Sequence, residues 1–170
     1  ADWCNAMLKE VEDNPEDFAN VTVLPIAYGD DLPDKSTTEA QAMLQNYPDI
    51  DVIISPTTVG ILSAAKVIQD LGSECKVTGV GLPSEMAPYI ESGICYDCYL
   101  WNPYDQGYLA AASVNSISTG ESTGAVGDTV TAGRLGEYTV EEYYDGGTQV
   151  LLGDPIRFTK ENIGEYKDLF

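Results

Sequence analysis

The stretch Asp51-Val52-Ile53-Ile54-Ser55-Pro56-Thr57-Thr58-Val59-Gly60 decides the reading of this chain. An apolar run stops at a serine, a proline and two threonines, and a helical pattern begins at once. Ile61, Ala64, Ala65, Ile68 and Leu71 form one apolar stripe of that helix, which closes near Gly72. A strand (50–55) passing directly into a helix is half of a strand-helix-strand unit. The apolar run is continuous rather than alternating, which is how strands read when helices cover both faces of a parallel sheet.

The same unit recurs on either side. Trp3, Met7, Leu8 and Val11 lie on one face of a first helix, and residues 21–28 (VTVLPIAY) read as a strand. Ser36-Thr37-Thr38-Glu39 reads as a capping box opening a helix with Ala40, Met43, Leu44 and Tyr47 in its stripe. Residues 76–81 (KVTGVG) read as a strand, Ser84 as the cap of a short helix ending at Gly93, and Pro88 as a residue of its first turn. Residues 94–101 (ICYDCYLW) read as a strand and Pro103 to Thr119 as a longer helix. Beyond Gly120 the texture is rich in Gly, Thr and Ser, and Asp145-Gly146-Gly147 signals a hairpin. The tail, Pro155 to Phe170, reads as a short strand and a helical turn. Repeated units of this kind predict an α/β fold with a doubly wound, mostly parallel sheet and helices on both faces. The expected boundaries are a lobe over 1–102, a helix-and-hairpin segment over 103–152, and a return strand with a terminal turn over 153–170.

In such sheets ligands bind outside the carboxyl ends of the strands. Pro56, Thr57 and Thr58 stand at that edge, and so do Tyr28, Leu82, Trp101 and Asn102. An indole face stacks on the apolar C–H face of a sugar, and Asn and Thr both donate to and accept from hydroxyls. A neutral edge of this kind suits an uncharged polyol better than an anion.

Composition narrows the function. The chain has 170 residues, 44% of them hydrophobic, enough for a sizeable core. Its net charge of -20 argues against nucleic acid and against an anionic membrane surface. No apolar run is long enough to cross a bilayer. There is no histidine, which removes the commonest general base and metal ligand. No G-x-S-x-G elbow occurs, so no catalytic residue is assigned and the chain is not read as an enzyme. Gly79-Val80-Gly81 lacks the third glycine of a dinucleotide site, so no cofactor is expected. Asp30, Asp31 and Asp34 lack the spacing of a calcium loop, so no metal is expected. Lys35 beside them is left open as a contact to a ligand hydroxyl. Of the four cysteines, Cys95 and Cys98 have the spacing of a metal or redox pair. On a strand, however, residues three apart face opposite sides, and no second pair completes a site, so core packing is expected. Free thiols are expected, with a Cys75–Cys95 bridge left open. The chain opens on Ala1 without a secretory signal, so a removed leader also stays open.

Four stretches, SPTTVGILSAAKVI, KVTGVGLPSEM, YLWNPYDQGYLAAA and GDPIRFTKENI, together resemble the periplasmic sugar-binding proteins of ABC importers, and within them the rhamnose-binding subgroup. The resemblance implies a non-catalytic receptor of two α/β lobes joined by a three-segment hinge. Its partners would be a small sugar and a membrane permease, outside the cytoplasm. It places Pro56 and Thr58 where related receptors hold their ligand, and Trp101 at a hinge-side contact. Thr58 stands where ribose binders carry an aspartate. Autoinducer-2 receptors, the alternative within this class, carry Asp where Thr57 stands and Ala where Thr58 stands. The effector domain of a sugar-responsive transcription repressor is the alternative from another class. The resemblance also implies an amino-terminal lobe ahead of this region, and a first strand set between 21–28 and 50–55. The helix from Pro103 to Thr119 would then lie against that lobe. Its apolar face (Leu109, Ala112, Ile117) is expected either to pack on this lobe or to meet a second copy in a homodimer.

Overall fold

A computed structural model describes residues 2–170. The chain forms two compact units: one runs up to Tyr99 and resumes over Arg157–Phe170, and the other is Leu100–Ile156.

The first unit contains helix α1 (Asp2–Asp13), helix α2 (Pro33–Asn46), strand β1 (Val52–Ser55), helix α3 (Thr58–Leu71), strand β2 (Lys76–Gly79) and helix α4 (Pro83–Ser92). Strand β3 (Cys98–Leu100) ends at its boundary, strand β8 (Ile156–Phe158) re-enters it, and helix α6 (Ile163–Tyr166) follows. β1 and β2 pair in parallel, with Val52 opposite Lys76 and Ser55 opposite Gly79. Isolated parallel bridges, Val77 to Cys95 and Val80 to Tyr99, carry the pairing to the next segment, and β3 pairs with β8. α3 packs on β1 and β2, α2 on α3, and α4 on α6. The core is built from Ile61, Ile68, Val77, Met86, Ile90, Phe158 and Ile163, all fully buried. The α/β architecture is as expected.

Helix ends follow the sequence closely at one terminus and not at the other. α3 and α4 stop at Gly72 and Gly93, both left-handed at φ 61° and 79°, where a side chain would strain the backbone. The expected starts at Ser36 and Ser84 are corrected. α2 begins three residues earlier behind Leu32, and α4 behind Leu82, with Pro33 and Pro83 in the first position. Proline suits that position because its φ is already helical and its missing N–H has no partner to lose. Ser36 is therefore a buried residue inside α2. Pro88 likewise lies beyond the first turn of α4, where its missing N–H forgoes one helical bond.

Two expected strands also change. Residues 21–28 form no strand. Val21, Val23 and Tyr28 are exposed, and a strand exists only in a ladder, for which no described segment runs alongside. On β1, Ile53 is buried while Val52 and Ile54 are exposed, so the continuous apolar run is covered on one face there. In the expected strand 94–101, the backbone bends at Tyr96 and only 98–100 is extended. The bend turns Asp97 inward to 7% exposure. Its carboxylate accepts from Thr78 Oγ1 (2.8 Å), Tyr99 Oη (3.2 Å) and Arg157 Nε (2.8 Å), with Arg157 Nη2 at 2.7 Å. Burial, then the Asp97 charge, raises the Tyr99 phenol above its ordinary value. Tyr99 thus adds stability below the ordinary tyrosine range, and that stability is lost as pH rises through its raised folded value.

The second unit holds helix α5 (Pro103–Thr119) and two antiparallel hairpins, β4 (Thr129–Thr131) with β5 (Glu137–Thr139) and β6 (Glu141–Glu142) with β7 (Thr148–Gln149). Asp145-Gly146-Gly147 forms the turn of the second, as its sequence signals. α5 buries Leu109 within this unit, while Ile117 stays 53% exposed. Arg134 pairs with Asp105 at 2.5 Å and lies 5.0 Å from the centre of the Tyr108 ring, tying the β4–β5 connection to α5.

Phe158 is fully buried, with the rings of Tyr166 and Phe170 5.2 and 6.3 Å away. Phe158→Ala is expected to lower the unfolding free energy by about 3–5 kcal/mol in chemical denaturation. Asp97→Asn is expected to lower the thermal midpoint more than Arg157→Gln. The first strips the charge from three donors at once, while the second leaves Asp97 with Thr78 and Tyr99.

Candidate functional site

The carboxyl ends of β1 and β2 are drawn together by a glycine. Gly79 sits opposite Ser55 with φ 135°, and a Cβ there would lie 1.9 Å from the Ser55 carbonyl oxygen. That carbonyl instead accepts from Val80 N at 2.9 Å. No other residue could bring the two strand ends this close.

The loop leaving β1 is then fixed by hydroxyls. Ser55 Oγ donates to the Thr57 carbonyl at 3.1 Å and accepts from Thr57 N at 3.4 Å. Thr57 is the N-cap of α3, its Oγ1 accepting from Gly60 N at 3.0 Å. Gly60 has to be small, because a Cβ there would come within 2.3 Å of Ser55 Oγ and 2.9 Å of Thr57 Oγ1. Ser55 and Thr57 are thus engaged in shaping the loop. Thr58, the first residue of α3, is half-buried, and its hydroxyl has no hydrogen-bond partner among the described residues. Pro56 is half-buried beside it.

Leu82 leaves the neighbouring strand. Gly81 N donates to Tyr99 O at 3.1 Å, and a Cβ on Gly81 would press within 2.8 Å of Met86 Cγ. This close packing sets Leu82, extended and half-buried, as the N-cap residue of α4. Pro56, Thr57, Thr58 and Leu82 therefore leave adjacent strand ends of one unit.

Trp101 and Asn102 stand at the start of the other unit. Asn102 caps α5, with Oδ1 accepting from Tyr104 N (3.0 Å) and Asp105 N (3.4 Å), so its oxygen is committed to the helix. Trp101 Nε1 donates to the Gly153 carbonyl at 2.7 Å. The Trp101 N–H is thereby committed within its own unit. Tyr28 is 56% exposed in the irregular segment 21–28, and Lys35 pairs with Asp30.

Reading the sequence missed Ser55, Gly60 and Gly153, whereas Gly79, read there within Gly79-Val80-Gly81, does serve close backbone packing. Ser55 and Gly60 stood inside the stretch that decided the fold, but their roles are contacts with one another. The chemistry of the β1–β2 edge is neutral: hydroxyls, backbone amides and apolar carbon. Asp97, the buried carboxylate of this unit, is surrounded by donors and is placed for structure rather than for proton transfer. Among the described residues no three His, Cys, Asp or Glu side chains group as metal ligands do.

Residues 1–122 match the family model for the periplasmic binding protein domain. An ABC transporter solute binding protein from Clostridium phytofermentas, solved with bound L-rhamnose, is 38% identical over 99% of this chain and 55% of its own, with a TM-score of 0.90. A sugar ABC transporter structure from Actinomyces odontolyticus is 37% identical over 96% of this chain and 52% of its own, with a TM-score of 0.81. LsrB from Clostridium saccharobutylicum, solved in complex with AI-2, shares the fold at 21% identity and a TM-score of 0.81, over 94% of this chain and 53% of its own. The chain thus spans about half the length of each of these proteins. With the family model covering most of its length and the fold shared throughout, the chain belongs to the periplasmic binding protein family.

Proposed function

We propose that the chain is a sugar-binding portion of the solute receptor of an ABC importer, taking rhamnose or a similar deoxy sugar and turning nothing over. The observation that carries this reading is the 38% identity, across 99% of the chain, to a solute binding protein holding L-rhamnose. The β1–β2 edge supports it on chemical grounds. Sugar hydroxyls need donors and acceptors without net charge, and the sugar's C–H faces need apolar or aromatic surface. Thr58 offers an uncommitted hydroxyl, and Thr57 retains its hydroxyl hydrogen while accepting from Gly60. Pro56 and Leu82 offer apolar surface. In the second unit, Asn102 retains an amide nitrogen that can donate to a hydroxyl. The absence of charge at Thr58 favours a deoxy sugar, which has one hydroxyl fewer to satisfy. As part of such a receptor the chain works outside the cytoplasm and delivers its sugar to a membrane permease.

Calorimetric titration with L-rhamnose, ribose and glucose tests the assignment. Saturable heat with rhamnose, and none with the other two at the same concentrations, is the expected outcome; heat from ribose or glucose in its place would overturn it. Thr58→Val, which keeps the side-chain volume and removes the hydroxyl, is expected to weaken rhamnose binding between about two- and tenfold, the worth of one neutral hydrogen bond.

A further inference from the structure

β2 and the residues that follow it meet the segment after α4 at two points, the parallel bridges Val77 to Cys95 and Val80 to Tyr99. Three residue steps on the β2 side, 77 to 80, are therefore matched by four on the other, 95 to 99. One residue is in excess, and the excess coincides with the bend at Tyr96 and the inward turn of Asp97. This is a bulge, which interrupts the backbone ladder and re-aims the residues beside it.

A side-chain bond spans the interruption. Thr78 Oγ1 crosses it to donate to Asp97 Oδ1 at 2.8 Å, while Arg157 holds the other oxygen of the same carboxylate from Nε at 2.8 Å and Nη2 at 2.7 Å. A charged acceptor makes the Thr78 bond stronger than a neutral one would be. Just past the bulge the ladder resumes, with Gly81 N donating to the Tyr99 carbonyl at 3.1 Å. The thiol of Cys98, fully buried, lies against the same glycine, 3.9 Å from its carbonyl oxygen. Leu82 comes next and starts α4 with no side-chain cap bond of its own. Its carbonyl is already turned to the helix, accepting from Glu85 N at 3.1 Å and Met86 N at 2.9 Å. The place of Leu82 is therefore set by what precedes it, the register in which 78–81 meets 97–99.

We propose that Thr78 and Asp97 are positioning residues of the ligand edge: by holding the bulge they fix where Gly81 meets Tyr99, and so where Leu82 stands, without touching a ligand themselves. The consequence for sugar binding rests on the function proposed above; the placement of Leu82 does not.

Thr78→Val and Thr78→Ser separate this role from packing. Valine keeps the branched shape and lacks the hydroxyl, and serine keeps the hydroxyl and lacks the methyl group. Amide hydrogen exchange on the full chain reads the placement with no ligand present. In Thr78→Val the Gly81 amide is expected to exchange about three- to tenfold faster than in the wild-type chain, the worth of one hydrogen bond. The Ile61 amide, bonded to the Thr57 carbonyl at 3.0 Å, is the reference and is expected to keep its rate. In Thr78→Ser the Gly81 amide is expected to keep the wild-type rate. A wild-type Gly81 rate in Thr78→Val would overturn the inference. So would an equal rise at Ile61, or a Thr78→Ser rate as fast as that of Thr78→Val, because both mark loosened packing instead. Calorimetry with L-rhamnose reads the consequence: binding about two- to tenfold weaker in Thr78→Val and unaltered in Thr78→Ser. Wild-type affinity in Thr78→Val would overturn the role at the ligand edge. No heat from the wild-type chain with rhamnose would overturn the sugar assignment instead, and the exchange comparison would decide the placement of Leu82 by itself.

Discussion

The Asp97 carboxylate is the interaction on which the first unit depends. A buried charge is tolerated only when it is fully bonded, and Asp97 meets that condition by collecting one side chain from each of three neighbouring segments. Thr78 comes from β2, Tyr99 from β3, and Arg157 from β8 after a gap of sixty residues in the chain. The returning strand is therefore held by a charged, two-point contact as well as by its backbone ladder. Phe158, the next residue along, is set into the core against Tyr166 and Phe170. The bend that brings Asp97 inward also shortens β3, between two cysteines that are both buried in the core.

A second constraint acts at the strand ends. Gly79 allows β2 to approach Ser55 at backbone contact, and Gly60 leaves room for the hydroxyls of Ser55 and Thr57. These glycines are spacing devices as much as turn residues. They let a short loop be held by its own serine and threonine, leaving the Thr58 hydroxyl at the helix start without a hydrogen-bond partner among the described residues. The division of labour is physical. The Ser55 hydroxyl both donates and accepts within the loop, Thr57 accepts from the helix, and the Thr58 hydroxyl takes no part in shaping it.

Helix periodicity, glycine C-caps, the DGG turn and the parallel pairing of 52–55 with 76–79 could all be read from the sequence, because each is set by neighbours within a few residues or by a repeating apolar stripe. Pro33 and Pro83 were equally local signals, and they outweighed the serines that follow them as helix starts. The segment 21–28 has the composition of a strand, but composition supplies no ladder partner, and it stays irregular and exposed. The bend at 96–97 was not visible in ICYDCYLW, since what turns Asp97 inward is an arginine sixty residues away.

The sequence by itself determined the α/β class, the strand-helix-strand unit over 52–79, the neutral character of the edge after β1, and the lack of a histidine to act there. Only the tertiary structure decided which hydroxyls are spent on the loop, that the Trp101 N–H is committed to Gly153, and that Asp97 is buried among three donors. The reason is that periodicity and capping are properties of a few consecutive residues, whereas hydrogen-bond saturation and side-chain facing depend on which distant segments the fold brings within about 3 Å.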